Sequence, residues 1–169
     1  MDAGMRLAAA LALTAACAGL GWSAAQRQTR RVKALEALRR AVSRLEEDML
    51  EKRLPLGEAL AASGHALFVR AARAGDGQPP GEALRAAARA LSARGGQLDS
   101  LTPADMAAID RLAGGLGRGS AERQRLLLAE TAEELAALSA NAEKLAAERN
   151  RLYVSLGALG GLALAVMLV

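Results

Sequence analysis

Few residues of this 169-residue chain belong to the types that catalyse reactions, and their spacing does not build a site. Cys17 is the only cysteine and His65 the only histidine. One cysteine excludes an internal disulfide or a zinc site with several cysteine ligands, and one histidine excludes most histidine-based metal centres. Glu46, Glu47 and Asp48 are consecutive, and because consecutive helical residues point in different directions, we expect a solvated face there. These counts predict a protein that is not an enzyme and that binds no cofactor or metal.

A glycine-rich segment, GGLGRGS at 114–120, resembles a phosphate-binding loop only in composition. It follows no predicted strand, and it lacks the Lys-Ser or Lys-Thr pair that a nucleotide-binding loop requires. We therefore interpret it as a turn between two helices, where glycine supplies the backbone freedom. His65 follows a glycine in a short predicted helix, so we expect a solvent-exposed or helix-capping role for it.

Basic residues are concentrated near the start of the chain. The chain has 22 Lys and Arg residues against 18 Asp and Glu, and segment 27–40 holds six basic residues against Glu36 alone. That segment lacks the aromatic side chains on which nucleic-acid bases stack, so we do not expect nucleic acid as its partner. A protein partner for this segment stays open, as does DNA binding driven by the overall charge. We predict that anionic lipid headgroups are contacted by Arg27, Arg30, Arg31 and Lys33. Each basic residue near the membrane surface contributes roughly 1 kcal/mol to such binding.

Two long uncharged runs account for much of the 52% hydrophobic content. They are residues 7–25 and 152–169, and at about 1.5 Å per residue each can just cross a hydrocarbon core of roughly 30 Å. We therefore predict a tail at 1–6, a transmembrane helix at 7–25, a helical domain at 26–151 and a transmembrane helix at 152–169. In the last span, Gly157 and Gly161 form a GxxxG pattern, which predicts close packing against another helix.

Basic residues border the inner ends of both runs and set the expected orientation. The sequence QRQTRRVK follows the first run, and Lys144, Arg149 and Arg151 precede the second. By the positive-inside rule, the helical domain lies in the cytoplasm and both termini lie across the membrane. Signal-peptide cleavage near Ala25, or lipidation of Cys17, stays open as an alternative. Either would give an anchored helical scaffold or receptor outside the cytoplasm.

The segment between the runs is predicted to be entirely helical. Apolar residues recur every three or four positions from Val32 to Met49, Pro55 should end that helix, and shorter helical segments follow at 56–62, 65–74 and 82–93. Thr102 and Ser120 are typical N-caps, and after Ser120 the helical pattern continues to the C-terminus. The predicted fold is therefore all-α. It is an antiparallel bundle of about five or six helices between two transmembrane helices, with the last helix continuous with the C-terminal span.

Three stretches, taken in order, resemble one known family. They are LEALRRAVSRLEEDMLEKRLPLGEAL at 35–60, LGRGSAERQ at 116–124 and NRLYVSLGALGGLALAVMLV at 150–169. In a chain of this size with two apolar runs, they resemble the stage III sporulation protein AB family of endospore-forming bacteria over nearly the whole length. The residues that carry the resemblance are Leu35, Leu38, Leu45, Glu46, Pro55, Leu56, Ala59, Leu116, Gly117, Gln124, Ser155, Leu156, Gly157, Leu159 and Gly161.

The resemblance implies a helical domain similar to the cytoplasmic domains of the platform protein of type II secretion and type IV pilus machines, which sit beside a hexameric ATPase. It also implies membership of a complex that links the mother cell to the forespore. The expected function is a non-enzymatic membrane platform at the outer forespore membrane, with its helical domain in the mother-cell cytoplasm.

The partners implied by the resemblance are a secretion-type ATPase and other membrane components of that complex, in addition to lipid. No small-molecule substrate is expected. We predict that the turn at 114–124 faces a protein partner, through Gly117, Ser120 and Gln124.

Overall fold

The computed structural model describes the backbone of residues 3–74 and 77–168, and the side chains of residues 26–74 and 77–148. This part of the chain forms six helices and no strand: α1 (Ala3–Leu50), α2 (Leu56–Ala62), α3 (Ala66–Ala74), α4 (Pro80–Ser92), α5 (Pro103–Gly115) and α6 (Ala121–Leu168). It divides into two compact units, Met1–Arg30 with Ala142–Val169, and Arg31–Asn141. The prediction of an all-α fold is confirmed.

Helices α4, α5 and α6 pack in alternating directions within the Arg31–Asn141 unit. The start of α4 lies against the end of α5: Gly81 directly faces the carbonyl oxygen of Ala113. Further along, Arg85 of α4 pairs with Asp110 of α5 at 3.3 Å. The end of α5 meets the start of α6 in the same manner, and Arg111 of α5 forms an ion pair with Glu134 of α6. These contacts show the antiparallel arrangement that the short connections predict.

The core of this unit consists mainly of leucine and alanine. Because leucine and alanine favour helix and fill space without aromatic rings, an aromatic content of only 2% is compatible with a packed helical interior. Phe68 is the aromatic side chain of that core and is fully buried. The other large side chains that are essentially inaccessible to solvent are Leu35, Leu38, Leu45, Leu67, Leu84, Leu98, Ile109, Leu112, Leu116, Leu128 and Leu135.

Helix starts follow the predicted capping residues. Thr102 and Asp105 form a capping box at α5: the Thr102 side chain accepts from the Asp105 N–H, and the Asp105 carboxylate accepts from the Thr102 N–H. Ser120 caps α6, because its Oγ accepts from the Arg123 N–H at 3.3 Å. Helix α4 begins at Pro80 rather than at residue 82, since proline is well suited to the first helical position.

Helix α1 ends at Leu50, four residues earlier than Pro55 requires. The chain leaves the helix through Arg53, whose φ of 54° is left-handed. The Leu54 N–H then donates to the carbonyl oxygen of Asp48 at 3.0 Å, which satisfies a carbonyl group at the helix end. Pro55 acts indirectly, because it disfavours the helical conformation in the residue before it.

Two rows of residues at seven-residue spacing run along α6, and only one of them stays buried along the described length. In the first row, Leu128, Leu135 and Ala142 are all buried. In the second row, exposure increases along the helix: Thr131 is buried, Leu138 is half-buried and Leu145 is 40% exposed. A straight helix drifts by about 20° per heptad relative to a strict seven-residue repeat. The second row therefore turns progressively towards solvent.

In the Met1–Arg30 and Ala142–Val169 unit, α1 and α6 are linked by the Gln28 side chain, whose Nε2 donates to the carbonyl oxygen of Ala142 at 3.2 Å. Among the residues whose side chains are described, no helix is both long and apolar enough to cross a membrane. The predicted spans at 7–25 and 152–169, with Gly157 and Gly161, lie outside the residues whose side chains are described.

His65 caps α3, as one of the two predicted roles requires. Its Nδ1 accepts from the Leu67 N–H at 3.2 Å, and its ring lies 6.0 Å from that of Phe68. Burial lowers the pKa of His65 below the ordinary value of 6.5. The folded state therefore favours the neutral ring, whose Nδ1 is free to accept.

We expect the stability of the protein to fall as the pH falls through 6.5, because the unfolded chain takes up a proton that folded His65 resists. His65→Asn should remove this dependence, since its amide oxygen can accept the same N–H without titrating. The measurement is thermal unfolding followed by circular dichroism between about pH 7.5 and pH 5. Equal pH dependence in both proteins would contradict the assignment.

Candidate functional site

The turn between α5 and α6 is held in one conformation by the side chain of Gln124. Its Oε1 accepts from the Gly117 N–H at 3.0 Å, and its Nε2 donates to the carbonyl oxygens of Gly115 at 2.9 Å and Arg118 at 2.5 Å. Gln124 is only 5% exposed. All the hydrogen-bonding atoms of its amide are therefore occupied within the turn.

Two glycines allow this compact path. Gly117 and Gly119 have φ values of 75° and 88°, a region that other residues rarely adopt. A Cβ at Gly117 would also come within 3.2 Å of Leu56 and 3.3 Å of Pro80. The turn is thus seated against α2 and the start of α4, so its shape is set by the Arg31–Asn141 unit as a whole.

The turn presents a cationic surface. Arg118 and Arg123 are exposed and line a groove of about 340 Å³. The remaining lining residues are Gly114, Gly115, Gly119, Gln124 and Leu127, and none of them is acidic. We call this the cationic groove. It suits an acidic protein surface, because arginine guanidinium groups bind carboxylates in paired geometry.

An exposed leucine follows Arg123 by three residues on α6. Leu126 is 58% exposed, more than any other large hydrophobic side chain of the described residues. A single exposed leucine is common on protein surfaces. Next to two exposed arginines on a fixed turn, however, it supplies the apolar contact that protein interfaces combine with arginine.

The structure brings Gly117, Ser120 and Gln124 together, but it gives them internal tasks. Gly117 donates its N–H to Gln124, and Ser120 caps α6. The side chains that face outward are Arg118, Arg123 and Leu126, none of which was predicted as partner-facing. A usable signal was present in LGRGSAERQ, since Arg118 lies between Gly117 and Gly119 and Arg123 follows shortly after them.

The three hydrogen bonds that Gln124 makes within the turn are called the Gln124 clamp. Removing this clamp is expected to loosen the turn while the helices remain folded. Gln124→Ala removes three hydrogen bonds to backbone groups of a partly exposed turn, and each such bond contributes about 0.5–1.5 kcal/mol. We expect the Gly117 amide to exchange its hydrogen about 10-fold faster or more. Hydrogen exchange with mass spectrometry measures this, and Gln97→Ala, at an exposed loop position, is the matched control. Unchanged exchange at Gly117 in the Gln124 variant would contradict the clamp.

The predicted lipid-facing set needs one correction. Arg27, Arg30 and Lys33 are exposed, whereas Arg31 is only 7% exposed. Arg31 donates from Nε and Nη2 to the two carboxylate oxygens of Asp105 at 2.7 and 2.9 Å. Its guanidinium group is therefore used inside the protein and is not free for headgroups. Lipid contact by the other three residues stays a prediction.

The acidic triplet also differs from a fully solvated face. Asp48 is only 7% exposed, and Lys52 Nζ lies 2.8 Å from Asp48 and 3.3 Å from Glu47. Lys52, just after the end of α1, therefore pairs with two members of the triplet and compensates one of their two charges. Among the described side chains, no group of three or more histidine, cysteine or acidic residues is arranged to hold a metal ion.

A family model described as stage III sporulation protein AB matches residues 6–169, which is essentially the whole chain. No curated protein and no solved structure matches the chain.

Proposed function

Because the chain belongs to the stage III sporulation protein AB family and therefore has a role in sporulation, we propose that it is a non-enzymatic membrane platform of a channel complex between mother cell and forespore. In this proposal the helical domain lies in the mother-cell cytoplasm at the outer forespore membrane. A secretion-type ATPase contacts the turn between α5 and α6. Other membrane components of the same complex contact the protein elsewhere.

The observation that carries the proposal is the pre-formed cationic turn. The Gln124 clamp fixes the backbone from Gly115 to Arg118, so the exposed arginines are offered without a large ordering cost. A platform has to transmit the movement of an ATPase to membrane components, and a turn fixed at the end of two packed helices suits rigid-body transmission. Arg118, Arg123 and Leu126 form the proposed contact.

The two long helices support the membrane part of the proposal. Helix α1 (Ala3–Leu50) includes residues 7–25, and α6 (Ala121–Leu168) includes residues 152–168. A continuous helix satisfies all its interior backbone groups, as a membrane span must. Arg27, Arg30 and Lys33 follow the first apolar run, and by the positive-inside rule they favour a cytoplasmic domain.

The test of this placement is protease treatment of membrane vesicles whose cytoplasmic face is outward. We expect the segment between the apolar runs to be digested, and we expect the intact N-terminus to be recovered by N-terminal sequencing. Vesicles of the opposite orientation are the matched control and should protect the segment. Protection in the first vesicles, or a new N-terminus near Ala25, would contradict the proposal and favour an extracytoplasmic scaffold.

A further inference from the structure

A second groove lies on the other side of α6 from the cationic groove. It encloses about 670 Å³ within the Arg31–Asn141 unit, between the last two turns of α1 and the start of α6. We call it the acidic groove, because three carboxylates line it against one cation. Its lining residues are Ser43, Glu46, Glu47, Leu50, Glu51 and Arg125.

The acidic groove keeps an excess of negative charge. Glu47 shares Lys52 with Asp48, but within the described side chains Glu46 and Glu51 have no ion pair, and neither has Arg125. Even after Arg125 is counted, the lining therefore offers unpaired carboxylates to a cationic partner. Unpaired carboxylates are common on protein surfaces and do not by themselves indicate a binding site. Here they lie on the side of α6 opposite the cationic groove.

The geometry of α6 places the two grooves on opposite sides. Successive helical residues are rotated by about 100°, so Arg123 in one groove and Arg125 in the other lie about 200° apart around the helix axis. Leu126 lies on the exposed ridge between them. Each molecule thus presents one positive and one negative groove in different directions, with an apolar side chain on the ridge that separates them.

We propose that copies of this chain associate head to tail, with Arg118 and Arg123 of one copy set against Glu46 and Glu51 of the next. The occupant of each groove is a second copy because the complementary surface is on the same chain. Contact between two identical grooves would bring like charges together, which is unfavourable. Contact between unlike grooves is heterologous, so it forms a ring or a continuing row rather than a closed dimer.

The association and the proposed ATPase contact use the same two arginines, so they exclude each other on any one copy, and the association is tested on the purified protein without the ATPase. Its test uses the full-length protein in a mild detergent, studied by sedimentation velocity at low and high salt. The wild-type protein should form oligomers that weaken as salt is added, because the Debye length falls from about 10 Å at 0.1 M to about 3 Å at 1 M. A wild-type protein that stays monomeric at low salt overturns the proposal.

Charge reversal makes the test specific. Glu46→Arg with Glu51→Arg, and separately Arg118→Glu with Arg123→Glu, should each weaken association about 10-fold or more. The four changes combined in one chain should restore it, because both grooves then have reversed and again opposite signs. Restoration also shows that the reversed proteins fold. The matched control is Arg70→Glu with Arg89→Glu, two exposed charges on α3 and α4.

The proposal is overturned if the four-fold variant fails to associate, or if the control pair weakens association as much as the groove pairs do. It is also overturned if oligomers persist unchanged in both groove variants, since the contacts then lie elsewhere. Binding of the ATPase to the turn is tested separately, as a crosslink from the turn to a different protein, so failure of the association and failure of the ATPase contact are distinguished.

Discussion

Gly81→Ala is expected to destabilise the helical domain by about 3 kcal/mol or more. The new Cβ would lie 2.0 Å from the carbonyl oxygen and 3.1 Å from the carbonyl carbon of Ala113. Both atoms belong to the backbone, so no side-chain rotation relieves the overlap and α4 must move away from α5. Urea unfolding of the full-length protein, followed by circular dichroism, measures the loss.

Gly57→Ala is the matched control for that substitution. Gly57 also lies in the first turn of a helix, but a Cβ there meets no atom within 4 Å. Because alanine favours helix over glycine by up to about 1 kcal/mol, we expect a neutral or stabilising effect. If both variants unfolded at the same urea concentration, the close approach of α4 and α5 would be wrong.

Arg31→Ala is expected to cost about 3–5 kcal/mol, because it leaves the buried carboxylate of Asp105 without its cation. Asp105 has a fully buried side chain, and Arg31 joins it from α1 at 2.7 Å. The same carboxylate closes the capping box of α5 by accepting from the Thr102 N–H at 2.8 Å. Loss of the arginine therefore weakens both the α1–α5 contact and the start of α5.

The exposed ion pair between Arg85 and Asp110 is the control for Arg31. It spans 3.3 Å, and its side chains are 37% and 69% exposed. Since exposed pairs contribute at most about 1 kcal/mol, Arg85→Ala should change stability little. Equal effects of the two alanine substitutions in the same urea experiment would mean that Arg31 does not support a buried charge.

The pair also predicts a dependence of stability on acid. Burial alone would raise the pKa of Asp105, but hydrogen bonds from Arg31 and Thr102, together with the charge of Arg31, hold it below the ordinary 3.8. A lowered carboxyl pKa contributes stability above the unfolded value, and this contribution is lost as the pH falls through the folded value. Thermal unfolding below pH 3.8 should therefore show a steeper loss in the wild type than in Arg31→Ala.

Much of the fold could be predicted because its determinants are local. Thr102 and Ser120 mark the starts of their helices by side-chain chemistry at a cap, and Pro103 fits the first helical position of α5. Contiguous helical periodicity correctly predicted that α6 is a single helix from Ala121. The end of α1 was less predictable, because Pro55 restricts the backbone conformation of Leu54 alone. The residue at which the helix ends depends on the left-handed conformation of Arg53.

The site was harder to predict because its determinants lie far apart in the chain. Arg31 appeared to be one of four basic residues beside an apolar run, and nothing local showed that Asp105 would meet it. Gln124 appeared to be an exposed partner residue, yet it reaches back seven residues to clamp Gly117. In both cases tertiary contacts decide whether a polar side chain is presented to a partner or used within the fold.

The central claim is that the turn between α5 and α6 faces the ATPase, and crosslinking in sporulating cells tests it most directly. A photoreactive amino acid at Arg118 or at Leu126, both exposed, should give crosslinks to the ATPase of the sporulation complex. The same amino acid at Arg89, exposed on α4, should give none. If the ATPase is captured from Arg89 and not from the turn, or from no position, the assignment of this surface is wrong.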